Sequence, residues 1–180
     1  MRLILVRHPK PLVAPGLCYG RTDLAVAPDE LARARDALAA TLAPGLPLFS
    51  SPLRRCAELA AQLPCASLSV DARLAEIDFG NWEMRSWDDI PRAEVDAWAA
   101  DVAHYRPGGG ESVLQMAARV AAFHDELAQR QTAAALVVCH AGTMRLLAAR
   151  HAGLPLRAMA QQAAGAPHQI AYGQCLILDS

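Results

Sequence analysis

Leu3-Ile4-Leu5-Val6-Arg7-His8-Pro9 is the stretch on which the architecture turns. Four branched apolar residues in a row read as a strand covered on both faces. The run stops at two basic side chains, and polar residues and prolines follow through Pro15-Gly16. A strand that empties into a loop carrying Arg7 and His8 is the first unit of an alternating pattern. Pro28 stands where a helix would begin, with Asp29 and Glu30 in its first turn. Leu31, Ala34, Leu38 and Leu42 continue at helical spacing until Pro44-Gly45 stops them.

The same alternation recurs downstream. Leu46 to Phe49 is a second strand, and Ser50 or Ser51 is placed to cap a helix with Pro52 in its first position. Leu53, Ala57 and Ala60 mark one face of that helix up to Leu63-Pro64. Leu68 to Val70 is a third strand. Arg73 to Pro91 has no period and reads as a loop-rich excursion with short helical pieces, followed by a helix from Pro91 to His104. Ser112 and Gln115 form a capping box, and Val113, Met116, Val120, Phe123 and Leu127 step by three and four. Ala135 to Cys139 is a fourth strand, Gly142 to Arg150 a helix, and Ile170–Tyr172 with Gln174–Leu178 a closing pair of strands. The pattern predicts an α/β three-layer sandwich, a mainly parallel central sheet flanked by helices. At 180 residues it is expected to be a single domain, 1–180.

Composition narrows the functions. Hydrophobic residues make up 53% and charged residues 19%, as in a globular protein. Lys plus Arg number 17 against 18 Asp plus Glu, so no concentrated positive surface asks for a nucleic-acid partner. No apolar run reaches the roughly 18 residues that a bilayer requires, so no membrane partner is expected. The N-terminus lacks the apolar core and cleavage site of a signal peptide. Cys18, Cys56, Cys65, Cys139 and Cys175 are odd in number and scattered, which reads as reduced, buried thiols in the cytoplasm. His104, His124, His151 and His168 have no metal-ligand spacing, so neither a metal nor a cofactor is expected.

In an open parallel sheet, ligands bind beyond the carboxyl ends of the strands. Three polar clusters fall there: Arg7-His8, Ser50-Ser51-Pro52-Leu53-Arg54-Arg55 and His140-Ala141-Gly142-Thr143. Two histidines and two arginines brought together make a small positive pocket suited to a tetrahedral anion, since guanidinium groups bind phosphate through paired, charge-assisted hydrogen bonds. A helix starting near Gly142 adds backbone donors.

These segments resemble, in order, those of the histidine phosphatase superfamily, in its phosphoglycerate mutase-like branch. The Arg-His opening is Leu5-Val6-Arg7-His8-Pro9, and the Ser-Pro-Leu-x-Arg segment is Ser51-Pro52-Leu53-Arg54-Arg55. The acidic segment is Glu76-Ile77-Asp78-Phe79-Gly80-Asn81-Trp82-Glu83, and the second histidine segment is Cys139-His140-Ala141-Gly142-Thr143. The stretch from Pro107 to Glu111-Ser112 is also similar. Leu17-Cys18-Tyr19-Gly20-Arg21-Thr22-Asp23 resembles the branch of alpha-ribazole phosphatases, enzymes of cobalamin nucleotide-loop assembly. The chain departs from the pattern at Pro9 and Met84, where the family has glycine.

The resemblance implies a phosphoric monoester hydrolase of the histidine acid phosphatase type, acting on a small-molecule phosphomonoester. His8 would be the nucleophile that forms a phosphohistidine. Arg7, Arg54 and His140 would grip the nonbridging oxygens. Glu76 would protonate the leaving oxygen and then activate water; Asp78 and Glu83 are its neighbours and rivals. Arg21, Thr22, Gly142 and Thr143 are candidate substrate-binding residues. Trp82 and Trp87 either wall a pocket for an aromatic leaving group or pack in the core. The leading substrate is alpha-ribazole 5′-phosphate. The alternatives are a broad-specificity phosphatase, a phosphoglycerate mutase and a non-catalytic phosphate-binding protein.

Overall fold

The computed structural model describes residues 1–165 and 169–179; His168, one of the scattered histidines, lies outside them. β1 (Arg2–Arg7), β2 (Pro47–Ser50), β3 (Ser67–Val70) and β4 (Ala134–Cys139) are joined by parallel ladders. β5 (Cys175–Leu178) pairs antiparallel with β1, and the sheet order is β3-β2-β4-β1-β5. The chain is an α/β three-layer sandwich with a mostly parallel sheet.

The central strands read as unbroken apolar runs because each buries both faces. Leu3 and Leu5 of β1, with Ala135, Val137 and Cys139 of β4, face one core. That core is closed by α4 (Val113–Gln129), α5 (Ala141–His151) and α6 (Leu156–Ala164). Ile4 and Val6, with Leu136 and Val138, face the other core, against residues of α1 (Pro28–Ala39) and α2 (Arg54–Ala60). Leu3, Leu5, Val6, Val137 and Val138 are wholly buried. Truncating such a Leu to Ala costs about 2–5 kcal/mol. The sheet is therefore a rigid base for whatever its strand ends carry.

Several boundaries move. α4 starts as expected: Ser112 Oγ accepts from Gln115 N–H and the Gln115 side chain returns the bond to Ser112 N–H at 2.9 Å. α2 starts two residues past Pro52, with Leu53 as its N-cap, because Ser51 Oγ caps only a turn by accepting from Leu53 N–H at 3.3 Å. Arg54 and Arg55 thus become its first two helical residues. α3 is shorter than expected, Arg92–Ala100. Residues 170–172 form no strand; they lead into a turn at Gly173, and β5 alone closes the sheet. α6 falls in a stretch that the periodicity left unassigned.

The excursion between β3 and α4 holds α3 and four short 3₁₀ turns around a third cluster of Cys18, Trp82 and Ile90. Gly108 adopts φ +58 there, and a Cβ on it would lie 2.3 Å from the Phe79 carbonyl. Only glycine lets these two loops touch backbone to backbone. None of the helices described is long and apolar enough to cross a membrane.

Candidate active site

His8 stands just past β1, where its backbone N–H donates to the Cys139 carbonyl at 3.0 Å and so holds the end of β1 against the end of β4. Its Nδ1 lies 2.7 Å from the Pro9 carbonyl. That carbonyl can only accept, so the proton sits on Nδ1 and Nε2 carries the lone pair. Burial pushes the His8 pKa down to about 3, and the nearby Arg55 and Arg7 guanidiniums push the same way against the Pro9 hydrogen bond. The imidazole is neutral at physiological pH. Pro9 lacks an N–H but supplies, through its carbonyl, the bond that fixes this tautomer.

His140, just past β4, packs its ring against His8 with centroids 5.0 Å apart. It is wholly buried, and its Nε2 lies 2.8 Å from Ser51 Oγ. Burial and the neighbouring His8 and Arg55 hold its pKa well below the ordinary value. The thiols of Cys56 and Cys139 are also buried and pushed up, so both stay protonated.

Two arginines flank His8. Arg7 donates to the Ile170 carbonyl, and its guanidinium carbon lies 3.9 Å from the centre of the Tyr172 ring. Arg55 enters from α2, is wholly buried, and donates to the Thr22 carbonyl at 2.7 Å and to the Gly20 carbonyl. The Nε atoms of both are buried and take no hydrogen-bond acceptor among the described residues. Buried donors left unpaired cost about 1–3 kcal/mol each.

Glu76 reaches the same place from beyond β3. Its carboxylate accepts from Ile77 N–H and from Gly142 N–H in the first turn of α5, both at 3.0 Å. A Cβ on Gly142 would fall 2.4 Å from a Glu76 oxygen. Only glycine at that position lets the carboxylate in.

Arg7, His8, Arg55, Glu76 and Gly142 line a cavity of about 410 Å³, and His140 lies buried behind them. The other end of the cavity has a different character. Phe79, Trp87 and Trp98 wall it, with Trp87 and Trp98 stacked at 6.0 Å and 9° between their planes. Leu17, Val102, Val113 and Met116 continue the apolar lining, and Arg145, close enough to Glu76 to feel its charge, adds a further guanidinium. Among the described residues, no group of three or more His, Cys, Asp or Glu is placed to hold a metal ion.

A model of the histidine phosphatase superfamily (branch 1) matches residues 3–171. The chain belongs to that superfamily. It is 31% identical over 172 residues to a glucosyl-3-phosphoglycerate phosphatase of Mycolicibacterium vanbaalenii, covering 86% of this chain and 76% of that one. It is 36% identical over 102 residues to the adenosylcobalamin/alpha-ribazole phosphatase of Escherichia coli, a match that spans 54% of this chain and about half, 49%, of that protein. The crystal structure of the alpha-ribazole phosphatase from Shigella flexneri superposes with a TM-score of 0.80 at 28% identity, over 99% of this chain and 90% of that one. The site is that of a histidine-phosphatase-type hydrolase, on the phosphoglycerate mutase-like fold.

Within this histidine phosphatase, the residues singled out from the sequence separate into two groups. Arg7, His8, Glu76 and His140 come together. Arg54 does not: its Nε donates to Glu58 at 2.8 Å on the exposed side of α2. Consecutive helical residues point about 100° apart, so only one of the two arginines can face His8, and it is Arg55. The motif spacing Ser-Pro-Leu-x-Arg, in which the arginine is the fourth residue after Ser51, already carried that signal. Arg21 pairs with Asp78 at 3.8 Å on the surface, and Thr22 turns to Glu83; neither lines the cavity. Thr143 is buried, with its hydroxyl donating to the Leu74 and Ala75 carbonyls.

Asp78 accepts from Gly80 N–H and stays out of the cavity. Glu83 is neither a solvated acid nor a helix cap. Its half-buried carboxylate gathers the N–H groups of Gly20, Arg21, Thr22 and Phe79 and the Thr22 hydroxyl. Burial pushes its pKa up, but these donors outweigh that and hold it below the usual carboxylate range. By shaping loop 20–22 it presents to Arg55 the two carbonyls that orient the guanidinium. Trp82 is wholly buried and donates to Glu94, whereas Trp87 walls the cavity. The sequence reading missed Trp98, Arg145 and Tyr172, which sit in segments with no local motif.

Proposed function

We propose that this histidine phosphatase hydrolyses phosphomonoesters through a phosphohistidine on His8. The observation that carries the reading is the His8 Nδ1–Pro9 carbonyl bond beside two guanidiniums with unpaired buried donors. His8 Nε2 attacks phosphorus as the ester P–O bond breaks. Glu76 gives its proton to the departing oxygen, then takes one from the water that attacks the phosphohistidine, returning His8 neutral and releasing phosphate. Arg7 and Arg55 balance charge on the nonbridging oxygens as the phosphoryl group moves in line, and the neutral His140 acts only as a hydrogen-bonding partner. Arg55 takes the place assigned to Arg54. We place the enzyme, as a single domain, in the reducing cytoplasm, on its five free cysteines.

The substrate we favour is alpha-ribazole 5′-phosphate, the compound named for two of the relatives above. The stacked Trp87–Trp98 wall suits a flat aromatic leaving group. The Trp98 indole N–H is buried and has no partner among the described residues. A second reading follows from Arg145, whose cation suits the carboxylate of glucosyl-3-phosphoglycerate.

Phosphate release from alpha-ribazole 5′-phosphate, glucosyl-3-phosphoglycerate, AMP and ribose 5-phosphate tests both readings, with His8→Ala as control. The favoured substrate should lead in kcat/KM by at least about tenfold. A lead for glucosyl-3-phosphoglycerate would select the second reading, similar values a broad phosphatase. No release above the His8→Ala control would reject hydrolysis.

A further inference from the structure

Glu76 belongs to no strand or helix. The irregular stretch from Asp71 to Phe79 that carries it has no sheet partner past Asp71, so its carbonyls must find donors elsewhere. The Thr143 hydroxyl supplies a donor at Leu74 and Ala75, and Arg119 reaches three of the carbonyls. This residue of α4 sends Nη1 to the Arg73 carbonyl at 2.7 Å and to the Ala75 carbonyl at 2.6 Å, and Nη2 to the Glu76 carbonyl at 3.1 Å. The same guanidinium is gripped in two places by Glu111, Nε to Oε1 and Nη2 to Oε2, both at 2.8 Å. Glu111 N–H in turn donates to the Asp78 carbonyl at 2.7 Å. The pair is nearly closed to solvent, with side-chain exposures of 16% and 14%. One planar fork therefore fixes the backbone on which Glu76 is mounted, while Gly142 N–H fixes the carboxylate.

A buried ion pair is a weak device for stability, because desolvation offsets much of its attraction. A planar guanidinium is a strong device for orientation. We propose that Arg119, held by Glu111, is the positioning residue for Glu76: it sets the carboxyl where the leaving-group oxygen departs, without itself touching the substrate. The inference rests on the reading of Glu76 as the proton donor. It assigns a role to an α4 arginine and to the Glu111 that follows Gly108-Gly109-Gly110, neither of which reaches the cavity.

The test compares p-nitrophenyl phosphate, whose leaving group needs little protonation, with ribose 5-phosphate, an alkyl ester that needs it. Arg119→Met, Arg119→Lys, Glu111→Gln and Glu76→Gln are measured singly, and Arg119→Met again in the Glu76→Gln background. Removal of general-acid help costs roughly 10²–10⁴-fold, so Glu76→Gln should lose that much in kcat/KM, which reports expulsion of the leaving group, on the alkyl ester and far less on the aryl one. Arg119→Met should show the same selective loss in kcat/KM, about tenfold or more on the alkyl ester. Arg119→Lys, which keeps the charge but not the fork, should fall between. In the double variant, Arg119→Met should add less than about twofold.

Activity on p-nitrophenyl phosphate reports that each variant is folded. Equal losses on both esters, or full additivity in the double variant, would overturn the inference while leaving Glu76 as the acid. Equal losses in Glu76→Gln itself would remove Glu76 from the acid's role, and this inference with it.

Discussion

At one end of the cavity Arg7, His8, Arg55 and Glu76 stand at or beyond the ends of parallel strands; at the other, Phe79, Trp87 and Trp98 come from the excursion between β3 and α4. The first group inherits its placement from the sheet. β1 and β4 are in register from Arg2–Ala134 to Arg7–Cys139, so His8 and His140 emerge side by side. The second group holds itself in place by edge-on and stacked ring contacts among Phe79, Trp82, Trp87 and Trp98. The difference teaches that the strand-end group is placed by the register of the sheet, while the aromatic end depends on how the excursion packs. In the proposed reading, phosphoryl transfer belongs to the first and fit to the leaving group to the second.

The effects of substituting Arg7, His8 and Arg55 should therefore be large and indifferent to the leaving group, whereas those of substituting Glu76 should depend on it. His8→Ala should lower kcat by about 10⁴-fold or more on every ester. Arg55→Ala should cost on the order of 10²–10³-fold, whereas Arg54→Ala, which breaks only the surface pair with Glu58, should stay within about twofold. Kinetics of the two adjacent variants decide this directly. An Arg54→Ala loss as great as that of Arg55→Ala would break the geometric assignment.

At the aromatic end the effect should be smaller and selective. Trp87→Ala removes one half of the stacked wall. It should lower kcat/KM for alpha-ribazole 5′-phosphate by about 5–10-fold, in line with aromatic pair energies of about 0.5–1.5 kcal/mol, and leave ribose 5-phosphate within about twofold. Equal losses would make Trp87 a packing residue only.

The phosphate end should also mark the stability curve. His8 is neutral when folded, with its pKa lowered from 6.5 to about 3, so between these values the unfolded chain binds the extra proton. Its contribution is fully present above pH 6.5 and is lost as pH falls towards 3. The loss is about 1.4 kcal/mol per pH unit. Urea melts of His8→Asn should show a slope between pH 6 and 4 that is shallower by about 1 kcal/mol per unit than that of the parent. Identical slopes would mean that His8 titrates normally.

Smallest of all is the effect expected at Met84, where the family has glycine. It holds φ +62 while its N–H donates to the Cys18 carbonyl at 2.7 Å. A left-handed non-glycine residue costs about 1–2 kcal/mol, partly offset by the greater freedom of glycine in the unfolded chain. Met84→Gly should raise stability by about 0.5–1 kcal/mol, read as a higher Tm with activity unchanged; a lower Tm would show that the thioether packs more than its exposure implies.

The sequence was most informative where local pattern and tertiary role coincide. The apolar runs at β1 and β4 and the capping box of α4 mark themselves, since burial on both faces and a reciprocal cap leave direct traces in residue type. The strand-end histidines followed from the sheet. Arg55 was obscured because choosing between two neighbouring arginines needs the phase of α2, and the serine and proline signals set its start two residues early. Glu83 and Arg119 were hidden for a different reason. Each satisfies backbone groups of loops far away in sequence, and a residue that bonds to distant carbonyls or N–H groups leaves no spacing to detect. Trp82 and Trp87 look alike in the chain and part only when the third cluster closes over one of them.

The central claim is that His8 Nε2 carries the phosphoryl group. Rapid mixing of enzyme with a slight excess of p-nitrophenyl phosphate, quenching in alkali to preserve phosphohistidine, and mass spectrometry of the His8 peptide test it most directly. The expected result is phosphorylation confined to His8, formed as fast as the burst of p-nitrophenol and decaying at the rate of phosphate release. Steady turnover with no phosphohistidine at any quench time, or a phosphoryl group found on His140 instead, would contradict the account.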